Sequence, residues 1–266
     1  MFPLHGAYAI SGFKAASRVT HFYFLVDHRN TGESLMRMLG LIGGTSWHST
    51  IEYYRYINQA VNRHFGNNTN PPLLLYNMNQ CAVHELQRAG NWDEIAALVS
   101  EGARCLQKGG VDGLIFCANT PHKVFDQVKG NARVPILHIC DATSKAILAS
   151  EISKVGLIGT RFTMEKSFMI DRFAVNGVEA IVPDSGDTVR ELHRVIQEEL
   201  TFGKVEPQSK RFVMQVIDSL IKRGAQGVVL GCTEFPLMFA SGEIGVPTFN
   251  TTELHAKAAT DFVLAG

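Results

Sequence analysis

From Leu39 onward, short apolar runs of strand length alternate with longer stretches whose apolar residues recur every three or four positions. "LGLIGG" (39–44) reads as a strand, and Ser46 is placed to cap a helix with Ile51, Tyr54, Ile57, Val61 and Phe65 on one face. "LLLY" (73–76) is the next strand. A helix follows from about Asp93 to Lys108, and Asn91 with Glu94 three residues later suits a capping box at its start. "GLIFC" (113–117) and "VPILHI" (134–139) supply further strands. Strands alternating with helices of this length build a parallel sheet.

The pattern then runs a second time. "VGLIGT" (155–160) matches "LGLIGG", "GAQGVVLGCTE" (224–234) matches "GVDGLIFCANT" (110–120), and "VPTFN" (246–250) matches "VPILH" (134–138). Three matches in the same order and at nearly constant separation imply two pseudo-symmetric parallel-sheet α/β domains. One is placed at 36–142 together with 246–266, the other at 143–245, and the last helix, about 251–264, is expected to pack back onto the first. Ligands of open parallel sheets bind beyond the carboxyl ends of the strands. Two such domains facing each other across a cleft bring together the loops 43–47, 117–122, 159–163 and 231–235, which is where chemistry is expected.

Residues 1–35 lack this patterning. Lys14 and Arg18, with no acidic residue before Asp27, have the character of a transit peptide. The simpler reading is an N-terminal extension outside the core fold, with Met36 or Met38 opening the domain proper. No apolar run is long enough to cross a bilayer.

With 25 basic and 25 acidic residues among 266, the chain has no net pull toward nucleic acid or a membrane surface, so a small-molecule partner is expected. The five cysteines (81, 105, 117, 140 and 232) are odd in number and show no zinc-ligand spacing. They read as the free thiols of a cytoplasmic protein. The histidines have no metal-like spacing either, so no metal is expected.

The four loops carry the candidate chemistry. "GGTSW" (Gly43, Gly44, Thr45, Ser46) and "GTRFT" (Thr160, Arg161, Thr163) combine glycines, hydroxyls and helix starts, a setting for an anion. Neither is a Walker A loop or a G-x-G-x-x-G fingerprint, and a carboxylate is as good an anion as a phosphate. The alternative is that the glycines only make tight turns. In the other pair of loops, Asn119 and Thr120 stand opposite Thr233 and Glu234; Asn and Thr donate hydrogen bonds to a carboxylate without adding charge. Pro121 in a first helical turn leaves Thr120 as the cap. Cys232 ends a strand before an expected helix, whose dipole favours a thiolate; the alternative is an inert buried cysteine, against which its place in the cleft argues.

Aligning Gly113 with Gly227 sets Cys117 against Gly231 and Ala118 against Cys232. Side chains alternate along a strand, so Cys117 is the neighbour of the symmetric seat, unless the loop swings it toward the cleft. Glu234 either orients or deprotonates Cys232, or stabilises the start of its own helix. Arg161 either meets a side-chain carboxylate or is simply solvated. His122 either contacts a ligand or is packed.

At these residues, in "GLIGGTSWHSTIEYY", "CANTPH", "GLIGTRFTME" and "GCTE", the chain resembles the aspartate/glutamate racemase superfamily, over about residues 38–265. The resemblance implies two facing α/β domains, a homodimer, and cofactor-independent chemistry in which one cysteine removes an α-proton and a second, on the other face, returns one. It makes Cys232 the second cysteine. It makes Asn119, Thr120 and Thr233 carboxylate ligands, with Gly43, Gly44, Thr45 and Ser46 as the anion turn and Thr160 and Thr163 across from it. The usual first cysteine immediately precedes Asn-Thr; here that seat is Ala118. The remaining candidates for the first face are Cys117, a water, or Thr120. The expected activity is a racemase or epimerase of aspartate or glutamate with preference for L-substrates, the second cysteine serving that face in the family. The alternatives are a one-cysteine lyase or isomerase of the same superfamily, or a non-catalytic amino-acid-binding protein.

Overall fold

The structure, a computed structural model, describes residues 36–165, 167–240 and 242–266. The extension expected at residues 1–35 lies outside the described residues. In chain order the elements are β1 (Leu39–Gly43), α1 (Trp47–Phe65), β2 (Leu73–Asn77), α2 (Gln80–Ala89), α3 (Trp92–Lys108), β3 (Gly113–Phe116), α4 (Phe125–Lys129) and α5 (Ile139–Ala149). There follow β4 (Lys154–Gly159), α6 (Arg161–Glu165), α7 (Ser167–Val175), β5 (Glu179–Ile181), α8 (Gly186–Arg194), α9 (Pro207–Lys222), β6 (Gly227–Gly231), β7 (Thr248–Asn250) and α10 (Thr251–Leu264).

The strands form two parallel sheets, ordered β2-β1-β3 and β5-β4-β6-β7. Their registers carry the internal repeat: Leu39 of β1 pairs with Gly113, and Val155 of β4 pairs with Gly227. The alignment of Ala118 with Cys232 is therefore a structural equivalence as well as a match of letters. The central strands are buried on both sides, which is why they read as unbroken apolar runs. Alternate residues of the first sheet serve two cores, with Ile42, Leu114 and Phe116 in one and Leu39, Leu41 and Ile115 in the other. The second sheet does the same with Ile158, Val228 and Leu230 against Val155, Leu157 and Val229.

The helix following each sheet's last strand position crosses to the other half. Ala256, Ala259 and Val263 of α10 pack on Leu39, Leu41 and Ile115 of the first sheet, while Ile139, Cys140 and Ile147 of α5 pack on Val155, Leu157 and Val229 of the second. Because α5 packs this way, residues 139–142, assigned by the sequence to the first half, lie against the second sheet. β7 hydrogen-bonds to β6, so residues 248–250, also assigned to the first half, belong to the second sheet. Its counterpart "VPILHI" makes only an isolated parallel bridge, Ile136 to Leu114, where a strand is expected.

Ser46 caps α1 as expected, accepting from Ser49 N at 3.3 Å, and Asn91 caps α3 through Glu94 N. The buried stripe of α1 is nevertheless Thr50, Tyr53, Ile57 and Val61, which leaves Ile51 and Tyr54 half-exposed. Helix α2 has no counterpart in the sequence reading. Its apolar marks are sparse because much of one face looks into a cleft, although Asn79 at the cap and Gly90 in the left-handed C-terminal position were legible signals.

Candidate active site

In both sheets the chain leaves the first strand in one direction and reaches the third in the other. A crevice therefore opens at the carboxyl ends between β1 and β3 and between β4 and β6. These crevices share one cavity of about 280 Å³, at the small end of ligand sites. Its wall contains Thr45 and Ser46, Ala118 to Thr120, Thr160 to Phe162, and Gly231 to Glu234, so all four predicted loops meet there.

The first loop is held in a conformation that only glycine permits. Gly44 has φ +89°, and a Cβ there would lie 2.1 Å from the carbonyl oxygen of Met78. This close approach presses the turn against the start of α2. Trp47 N donates to Gln80 Oε1 at 3.0 Å, and His84 Nε2 lies 2.9 Å from Thr45 O. Gly44 N donates to Thr50 Oγ1 and Ser49 N to Ser46 Oγ. The N–H groups of Gly44, Trp47 and Ser49 thus already have acceptors, and the turn offers an anion less than its glycines suggest. Gly43 and Gly44 shape the turn without lining the cavity.

At the end of β3 the alternation of the strand decides between two neighbours. Cys117 N donates to Ile42 O, prolonging the ladder, and its side chain is 1% exposed among Leu39, Tyr53 and Ile115. Burial pushes that thiol far above its ordinary range. The loop does not swing it into the cleft, so Cys117 does not reach the cavity as a base. Ala118 does face the cavity. Thr120 is not a cap either: Asn119 occupies the cap position of a 3-10 turn over Thr120–Val124, with no side-chain capping bond.

Asn119 Nδ2 donates to Thr251 Oγ1 at 3.1 Å, and that hydroxyl donates to Leu230 O. The hydroxyl proton being used there, only the amide nitrogen of Asn119 suits the contact, which turns Oδ1 away as an acceptor. Oδ1 has no partner although Asn119 is 6% exposed, and Thr45 Oγ1 is in the same condition. Two buried, unpartnered oxygens on one cavity wall are what a polar ligand would satisfy.

From the second half, Cys232 Sγ donates to Glu234 Oε2 at 2.8 Å. Burial first, and the Glu234 charge second, push the thiol well above its ordinary value. The helix expected after Cys232 is only a 3-10 turn, Phe235–Leu237, so no long dipole opposes this shift. Glu234 stands at the N-cap of that turn without a side-chain capping bond, its carboxylate accepting from the thiol instead. Thr163 is buried and does not line the cavity; its Oγ1 lies 3.0 Å from Thr160 Oγ1 and orients it. Arg161 lines the cavity, pairs loosely with Glu165 at 3.7 Å, and stands over the Phe162 ring. His193, whose Nδ1 accepts from Arg161 N, is kept neutral by burial and by Arg161.

His122 is packed. It is buried among Phe116, Phe125, His138 and His255, away from the cavity. The residues that the sequence reading missed include Gln80, Cys81, His84, Gln87 and Arg88 on α2, His193 in the last turn of α8 and Gln197 just beyond it. They reach the site through packing of whole helices, which no local pattern encodes.

A search against family models matches residues 42–259 to the Asp/Glu/Hydantoin racemase family. Among curated proteins, the broad specificity amino-acid racemase RacX of Bacillus subtilis is 23% identical over 233 residues, covering 86% of this chain and 99% of RacX. Among solved structures, an aspartate racemase homologue from Pyrococcus horikoshii superposes with a TM-score of 0.75 at 33% identity, over 87% of this chain and all of the other. A Yersinia pestis chain described as a candidate Asp/Glu racemase gives 0.81 at 40% identity, over 86% of this chain and all of that one. With a family model spanning most of its length and two facing parallel sheets around one thiol-bearing cleft, the chain belongs to the Asp/Glu/hydantoin racemase family.

Proposed function

We propose that the protein is a cofactor-independent racemase or epimerase of acidic amino acids, aspartate or glutamate, using Cys232 as the base for the L-enantiomer. The observation that carries this reading is the buried Cys232–Glu234 contact of 2.8 Å on the cavity wall, opposite Asn119 and Thr120 from the other half. Without substrate Cys232 is held as a thiol. An amino acid brings an ammonium group, and a cation near the sulfur offsets the Glu234 charge and favours the thiolate, the S–H proton passing along the existing contact to Glu234 and on to solvent. The thiolate then takes the α-proton while the electron pair left on Cα delocalises into the substrate carboxylate.

That developing charge must be met by fixed donors, because an amino acid's α-proton is far less acidic than a thiol. Thr120, Thr160 and Thr233, with the Thr45–Ser46 turn, are the donors assigned to it. The free acceptor Asn119 Oδ1 suits the ammonium better than the carboxylate expected for it from sequence. Arg161, with His193 behind it, is assigned to the side-chain carboxylate of an acidic substrate. A homodimer working in the cytoplasm belongs to the same reading, and sedimentation of the purified chain tests the assembly.

The decisive experiment incubates the protein with each enantiomer of aspartate and glutamate in heavy water and follows deuterium at Cα. Exchange with inversion supports the racemase. Exchange with retention supports the second reading, a one-cysteine lyase or isomerase, which the alanine at position 118 favours. Binding without exchange of any acidic amino acid means a non-catalytic binding protein. Activity that persists after treatment with a carbonyl-trapping reagent supports independence from pyridoxal phosphate.

A further inference from the structure

Inversion at Cα requires a proton carrier on each side of the substrate. The residue equivalent to Cys232 in the first half is Ala118, which has no titratable group, and Cys117 is turned into the core. The first half nevertheless places a thiol on the cavity wall. Cys81, in the first turn of α2, is exposed and lines the same cavity as Cys232.

Each of the two thiols stands beside a carboxylate, Cys81 at the exposed mouth of the cavity and Cys232 buried within it. Cys81 Sγ lies 3.7 Å from Glu85 Oε1, as Cys232 Sγ lies 2.8 Å from Glu234 Oε2. A thiol–carboxylate contact is not diagnostic alone, since Cys105 makes one with Glu101 on α3, outside the cavity. Location distinguishes Cys81. The contacts of Gln80 with Trp47 N and of His84 with Thr45 O fix its helical turn over the glycine loop. Thr45 Oγ1 and Asn119 Oδ1, buried and without a hydrogen-bond partner, belong to residues of the same wall and are groups that a polar ligand would satisfy.

We propose that Cys81 is the second acid–base residue of the racemisation, working on the face of Cα opposite Cys232. This rests on the racemase reading above. For an L-substrate, the Cα–H bond breaks and Cys232 gains the proton, the electron pair remaining on Cα and its carboxylate. The Cys81 S–H bond then breaks, its proton forms the new Cα–H bond on the other face, and Cys81 is left as thiolate. One negative charge has moved from one sulfur to the other. Passage of the D-enantiomer in reverse, or proton exchange with solvent through Glu85 and Glu234, resets the site.

The test compares wild type, Cys81→Ala and Cys81→Ser for Cα exchange and inversion of L- and D-glutamate and L- and D-aspartate in heavy water. Thermal melting confirms that each variant folds. The expected result is inversion reduced by about 100-fold or more, the usual scale for a lost acid–base group, with washout of the L-enantiomer's α-proton retained. Alkylation of Cys81 by iodoacetamide, followed by peptide mass spectrometry, is expected to slow when an acidic amino acid is bound. Inversion at the wild-type rate in Cys81→Ala overturns the inference and leaves the racemase reading intact. Equal loss of exchange from both enantiomers also overturns it, since it makes Cys81 a binding or structural residue. A wild-type protein that exchanges no Cα proton removes the racemase reading, and this inference with it.

Discussion

Cys232 and Glu234, two residues apart in the chain, face each other at 2.8 Å inside the cleft, a thiol donating to a carboxylate where both are buried. The contact raises the energy of the thiolate, because its formation would set two negative charges side by side. Burial and this charge therefore favour the protonated sulfur, and under the proposed function the ammonium group of a substrate offsets the carboxylate.

Removing the sulfur should remove the chemistry. Cys232→Ser is expected to lower Cα exchange of L-glutamate or L-aspartate by about 100-fold or more, since a hydroxyl is a far poorer acid and base here. The substitution is nearly isosteric, so the melting temperature should move by only a few degrees. An unchanged exchange rate eliminates Cys232 as the base.

Glu234→Gln keeps the shape of that contact and removes the charge. Alkylation of Cys232 without substrate should then rise at a lower pH than in wild type, because the Glu234 charge that helps hold the thiol protonated is gone. Initial alkylation rates between pH 7 and 11, read on the Cys232 peptide, check this. A curve that stays in place means that burial alone sets the reactivity.

The equivalence of Ala118 and Cys232 offers a rescue. In a Cys81→Ala background, Ala118→Cys should restore part of the lost inversion, because position 118 faces the cavity from the half opposite Cys232. Circular dichroism at the substrate band follows the inversion directly. Absence of any restoration would show that a thiol at position 118 cannot reach the substrate.

Gly44→Ala should destabilise the fold by about 2 kcal/mol or more, since it imposes both a positive φ and a Cβ contact with Met78 O that neither backbone can relieve locally. Urea unfolding measures the loss. Because Met78 leads into α2, the same variant should also disturb the Cys81 and His84 side of the cleft and reduce ligand affinity.

His138 and His255 are kept neutral mainly by burial, His138 at a pKa of about 4 and His255 of about 3, against 6.5 for a free imidazole. The unfolded chain binds these protons first, so the folded state is favoured in full above about pH 6.5 and loses stability as pH falls toward 4 and below. For His138 alone the span corresponds to about 3 kcal/mol. His138→Asn retains a side chain able to cap α5, as His138 does through Cys140 N, and should flatten the acid limb of the stability curve. Urea midpoints at pH 4.5, 5.5 and 7 test it.

The sequence by itself determined the alternation of strands and helices, the duplication, the register that equates Ala118 with Cys232, and the four loops. These follow from strand and helix periods and from glycines at strand ends, which are properties of neighbouring residues. It also determined that Cys232 stands in such a loop. Only the tertiary structure decided that Cys117 turns into the core among Leu39, Tyr53 and Ile115, because the direction of a side chain at a strand end depends on what packs above it. The same is true of α2, whose cavity-facing side carries Gln80, Cys81 and His84 instead of an apolar stripe. Its place is set by the contact of Gly44 with Met78 and by the hydrogen bond from Trp47 to Gln80, between segments far apart in the chain. The cleft is assembled from such long-range contacts, and a local pattern records only the pieces that enter it.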